Sequence, residues 1–216
     1  MDAVVALIAF AVIGFAAAFS ILPLQSRRER QDRQRTPEQE WLESGFTGLS
    51  RNDFELCRVM PTTKWTAAEF IFEDESRNEL GRYTTMTRYR GTISFGARNA
   101  TLYIQGSGLN RSSFAGKVGG TSDHSIVIRD GNRLLVEVSR RFDKGELVSG
   151  IDAEGRKFIM RSPRWALFSQ GTVFENDHLI AQYRRPSGVS RKILVAFDRK
   201  LPQELRPLFC CVALLH

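Results

Sequence analysis

The residue types able to do chemistry in this chain are few, and each lacks the partners that chemistry needs. The histidines are His124, His178 and His216. None has a cysteine or a second histidine at ligand spacing, so no zinc or other metal site is expected. His124 follows Asp123 and His178 follows Asp177, which reads as two turn histidines; a general base needs an orienting partner, and neither stretch supplies one. Cys57, Cys210 and Cys211 are odd in number and two are adjacent, an awkward geometry for an ordinary disulfide. They suit a reducing compartment, with Cys210 and Cys211 as small hydrophobes in a buried stretch. Gly106-Ser107-Gly108-Leu109-Asn110-Arg111 begins like a dinucleotide loop but ends in arginine and precedes no evident helix. Gly116-Lys117 lacks the earlier glycine and the following hydroxyl residue of a phosphate loop. No G-x-S-x-G elbow occurs. The chain therefore predicts no catalytic residue, no cofactor and no metal.

Charge gives the next constraint. The 216 residues carry a formal net charge of +7, with 25 arginines against 6 lysines. The arginines are scattered, whereas phosphate recognition needs them clustered. No nucleic-acid partner is expected, because such affinity rests on a dense basic patch. One cluster does exist. Arg27, Arg28, Arg30, Arg33 and Arg35 stand against Glu29 and Asp32 directly after an apolar run.

That run, Ala3 to Leu24, holds no charged residue. Its 22 residues would span about 33 Å as a helix, close to the ~30 Å hydrocarbon thickness of a bilayer. A cleavable signal peptide is the competing reading, with Ala16-Ala17-Ala18 as an A-x-A pattern, but basic residues follow the run instead of preceding it. The charge bias predicts a single-pass membrane protein with its N-terminus outside and its globular domain on the cytoplasmic side. Gly14 and Ala18 form a small-xxx-small pair that would seat a partner helix.

Residues 1–25 thus read as a transmembrane helix and 26–66 as a polar, basic juxtamembrane linker. Inside the linker, Thr36-Pro37-Glu38 reads as a helix start with Thr36 as N-cap, running through Leu42 and stopped by Gly45. Residues 67–216 form the folded domain. Short strands are expected at 69–73, 82–87, 91–95, 100–105, 125–129, 133–139, 146–152, 156–161, 165–169, 178–183 and 191–197. Leu135, Glu137 and Ser139 alternate against Leu134, Val136 and Val138. Asp130-Gly131 between two apolar runs is the clearest hairpin signal. No long amphipathic helices intervene, which excludes a parallel α/β sheet. The expected fold is all-β: one antiparallel barrel or sandwich of about 11–12 short strands. The stretch Leu208–Leu215 is apolar all round, too short to cross a bilayer, and most simply buried as a terminal helix or strand.

The hairpin DGNRLLVEVSRR (Asp130–Arg141), the segment GRKFIMRSPRWALF (Gly155–Phe168) and the terminal LFCCVALLH resemble the tubby C-terminal-like superfamily, which includes phospholipid scramblase and LURP-one-related proteins. The resemblance covers residues 67–216 and implies a roughly twelve-stranded barrel closed around a hydrophobic C-terminal helix. The chain departs from scramblases in placing its membrane segment before the domain, so no catalytic or lipid-transport residue is carried over.

Together these readings predict a membrane-anchored, non-catalytic binding module that recognises anionic lipid or a protein partner. Its contact residues would be the Arg27–Arg35 cluster and Arg184, Arg185, Arg191 and Lys192, which flank the turn Pro186-Ser187-Gly188. The alternative is an accessory subunit of a larger membrane complex, packed through the face of Gly14 and Ala18.

Overall fold

The computed structural model describes residues 34–46, 48–62, 69–87, 90–106, 124–143, 146–163, 170–186 and 192–215. The chain divides into two units, Met1–Glu40 and Trp41–His216. The apolar run at 3–24, with Gly14 and Ala18, lies outside the described residues, as do Arg27, Arg28, Arg30 and Arg33. Among the described residues no helix is long and apolar enough to cross a membrane.

The expected linker helix forms as α1, Pro37–Ser44. Thr36 caps it reciprocally: its Oγ1 accepts the Gln39 N–H at 3.3 Å, while its own N–H donates to Gln39 Oε1 at 3.1 Å. Gly45, at φ +64°, ends it.

Twelve antiparallel strands then close a barrel: β1 (Phe54–Pro61), β2 (Glu69–Glu73), β3 (Glu79–Thr87), β4 (Arg90–Phe95), β5 (Arg98–Gly106), β6 (His124–Asp130), β7 (Arg133–Asp143), β8 (Glu146–Ala153), β9 (Arg156–Pro163), β10 (Gln170–Glu175), β11 (His178–Arg184) and β12 (Ile193–Asp198). Each strand pairs with its successor, and β1 pairs with β12 to seal the seam, with Cys57 opposite Val195. A 3-10 turn, Gln203–Leu205, leads into α2, Arg206–Leu215. Ten of the eleven expected strands coincide with observed ones. The Asp130-Gly131 hairpin forms as read, with Gly131 at φ +56° in a conformation that favours glycine.

Three expectations need correction. The barrel begins at Phe54, so its first strand lies inside what reads as linker. β1, FELCRVMP, hid because it has no polar face: its burial runs through Leu56, Cys57, Arg58 and Val59. Arg58 is fully buried and donates from Nη1 to the Asp74 carbonyl at 2.6 Å. The tenth strand occupies Gln170–Glu175, after the expected 165–169, which lies outside the described residues. In β7 the alternation holds for Val136 and Val138 against Glu137, but a register shift beside Arg129 puts Leu135 inside and Leu134 at 41% exposure outside.

Two apolar clusters result. The larger fills the barrel with inward side chains such as Phe72, Ile93, Leu102, Ile128, Phe158 and Phe197, together with α2. The smaller lies on the outer face of β1 and β12, where Leu56, Leu194 and Ala196 are covered by Trp41, Phe46 and Phe54. This explains why β12 is buried at every position: both of its faces are covered.

Candidate functional site

The barrel lumen is occupied by the chain's own C-terminal helix. Residues 206–213 of α2 are buried. Phe209 packs edge-on to Phe158 of β9, ring centroids 4.9 Å apart, and lies 6.5 Å from Phe197 of β12. An added Cβ on Gly81 of β3 would sit 3.2 Å from Pro207 Cβ. Contacts with strands so far apart around the barrel place α2 along its interior.

An arginine holds each end of that helix. At its start, Arg206 is 3% exposed and pairs with Glu55 of β1 at 2.7 Å. At its finish, Arg140 of β7 donates from Nη2 to the Leu215 carbonyl at 3.2 Å. A cation there meets the negative end of the helix dipole and one of its open carbonyls.

Around Arg140 the lumen turns polar. Arg140 pairs in register with Ser149 of β8, which is fully buried. Toward the strand ends, Gly171 of β10 stands opposite Tyr183 of β11 and next to Ser162 of β9. Ser162 Oγ and Tyr183 Oη share a hydrogen bond of 2.8 Å. Gly171 is required: a Cβ there would lie 2.5 Å from both Ser162 Oγ and the Tyr183 ring. Burial pushes the Tyr183 hydroxyl up to about 12, although the Ser162 bond and the Arg140 charge pull the other way. Burial also lowers the Arg140 guanidinium, which remains charged at neutral pH.

Arg140 lies within DGNRLLVEVSRR and carries no motif that marks it as a site residue. The signal was present: with Val136 and Val138 inward, period two points Arg140 inward as well.

The predicted basic hairpin is less open than its composition suggests. Arg184 donates to the Gly45 carbonyl at 3.2 Å. Lys192 is 4% exposed. Arg185 is half-buried, and its Nε makes no hydrogen bond among the described residues. Arg191 lies outside the described residues. Arg35, the one described member of the juxtamembrane cluster, is half-buried.

His178 has the orienting partner that its sequence neighbours did not provide. Its Nε2 lies 2.9 Å from Asp198 Oδ2, bridging the start of β11 to the end of β12. Burial alone would raise the Asp198 carboxyl. The Lys200 N–H at 2.7 Å and His178 outweigh it and hold the carboxyl below its usual range. Asp198 thereby fixes the turn that feeds α2, a positioning task.

All three thiols are buried. Desolvation raises Cys57 to about 12 and lifts Cys210 and Cys211 well above the ordinary thiol range. Among the described residues no group of three or more His, Cys, Asp or Glu could hold a metal ion. Compared with known proteins, the chain matches no family model, no curated protein and no solved structure.

Proposed function

We propose that this chain is a membrane-anchored, non-catalytic binding module facing the cytoplasm, and that it recognises anionic lipid or a protein partner. The observation that carries the reading is the filled lumen. A barrel occupied by its own helix offers a ligand its outer surface and its mouths, not a deep internal cavity. The same architecture, twelve strands around an apolar C-terminal helix, supports a fold of the tubby C-terminal-like type.

Charge supports the anionic partner. Successive strands are antiparallel, so the connections after β1, β3, β5, β7, β9 and β11 all join strand ends on the side where α2 finishes. Taken from sequence alone, and leaving aside the buried Lys192, those connections carry Lys64, Arg88, Arg111, Lys117, Lys144, Arg164, Arg185 and Arg191 against Asp123. The connections at the opposite side, including the one that leaves β12, carry Asp74, Glu75, Glu154 and Asp177 against Arg77, Arg199 and Lys200. Each basic side chain near an anionic leaflet contributes on the order of 1 kcal/mol.

The test is gentle-detergent purification of the full chain, with mass spectrometry of co-purifying lipids and proteins. Enriched anionic lipid, or one stoichiometric protein partner that binds the Trp41–His216 unit, supports the module. A set of membrane proteins held through the N-terminal helix alone, and lost in a Gly14→Leu variant, would make the chain an accessory subunit instead.

A further inference from the structure

We infer that the barrel mouth where α2 finishes is a binding site for a phosphate-type anion, built on Arg140 with Ser149, Ser162 and Tyr183. Charge at this mouth is out of balance. Arg140 projects into the lumen from β7, and its guanidinium is largely removed from water, yet no carboxylate pairs with it among the described residues. A buried charge is expensive unless it is paired and fully hydrogen-bonded. The Leu215 carbonyl accepts from Nη2, but Nε is buried and makes no hydrogen bond. The helix terminus offers about half a negative charge, so a full positive charge is only partly compensated.

Arg206 gives the internal comparison. It is the other arginine at an end of the same helix, and it has a carboxylate, Glu55, at 2.7 Å. Both arginines hold α2 and both leave Nε without a hydrogen bond, but among the described residues only Arg206 of the two has a carboxylate partner.

The surroundings of Arg140 fit an oxyanion. Ser149 is its cross-strand neighbour, and the hydrogen-bonded Ser162–Tyr183 hydroxyl pair stands on the same wall of the lumen. A guanidinium fork with hydroxyl donors is the chemistry that recognises phosphate oxygens. Tyr183 keeps its proton throughout the neutral range, so the Ser162–Tyr183 pair places no negative charge opposite Arg140. The mouth is not sealed: Arg140, Leu214 and Leu215 all retain partial exposure, which gives an anion a way in. The site stands on the lumen geometry and does not depend on the membrane reading above. A free phosphate and a lipid headgroup present the same oxygens, and experiment separates them.

The test uses the full chain. Inorganic phosphate is titrated calorimetrically, and in a second arm the protein is assembled into nanodiscs of phosphatidylcholine with or without phosphatidic acid. Arg140→Gln should weaken binding at least tenfold, Arg140→Lys less, and Ser162→Ala several-fold. Arg161→Gln, on the exposed outer face of β9, should leave binding unchanged. Thermal melting of each variant identifies any that fail to fold, and Arg140→Lys keeps the charge that holds the helix. Phosphate binding lost in Arg140→Gln, with no preference for phosphatidic acid, identifies a free anion. Selectivity for phosphatidic acid discs that needs Arg140, without measurable binding of free phosphate, identifies a headgroup. The inference is overturned if neither probe binds, or if folded Arg140→Gln and Arg140→Lys both bind as the wild type does.

Discussion

Replacing Phe209 by alanine tests whether the interior helix is part of the core or an accessory to it. Phe209 is 4% exposed, meets Phe158 edge-on at 4.9 Å, and lies 6.5 Å from Phe197. Removing a buried phenyl ring costs about 3–5 kcal/mol, because the transfer free energy is lost and the cavity collapses only partly. The edge-to-face pair with Phe158 favours the upper part of that range. For a chain of this size about 1 kcal/mol moves the melting temperature by roughly 2–4 °C, so a loss of about 4 kcal/mol should lower it by roughly 8–16 °C. Calorimetric melting at neutral pH reads the shift, with Ile159→Ala as a control, since Ile159 is 45% exposed. A fall for Phe209→Ala no larger than the control's would refute the placement of α2 as the centre of the core.

Two further outcomes follow from the same burial. Cys57, Cys210 and Cys211 should resist a thiol reagent in the native protein at pH 8 and all react once it is denatured, since desolvation disfavours the thiolate that attacks; rapid native labelling would show the lumen to be open. Stability should decline on the alkaline side, beginning near pH 9. Cys57 and Tyr183 hold their protons up to about 12 when folded but release them earlier when unfolded, so what they contribute is complete below the unfolded values and is lost as pH rises toward the folded ones. Denaturant midpoints measured from pH 7 to 11 check this, and a midpoint that stays constant past pH 10 would contradict it.

Much of the barrel was legible in the sequence because a strand with one wet face reveals itself by period two. β9 is the clearest case, with Phe158, Met160 and Ser162 inside and Lys157, Ile159 and Arg161 outside. The Asp130-Gly131 turn, the Thr36 cap and the absence of crossover helices were local signals of the same kind, and they determined an all-β chain. The apolar character of Leu208–Leu215 likewise announced burial without saying inside what. Local signals failed where burial was two-sided. β1 lost its alternation because Trp41 and Phe46 cover its outer face, and the buried Arg58 donates to the carbonyls of Asp74 and Glu75 in a distant turn. The Leu134 and Leu135 exchange came from a bulge, which one extra residue in a ladder produces and composition does not reveal. The candidate site was equally beyond local reading. Arg140, Ser149, Ser162 and Tyr183 come from four different strands, and only closure of the barrel around α2 turns them toward one another. Sequence determined which residues must hide from water. Tertiary structure decided which charged and polar ones hide with them, because that depends on contacts between residues far apart in the chain.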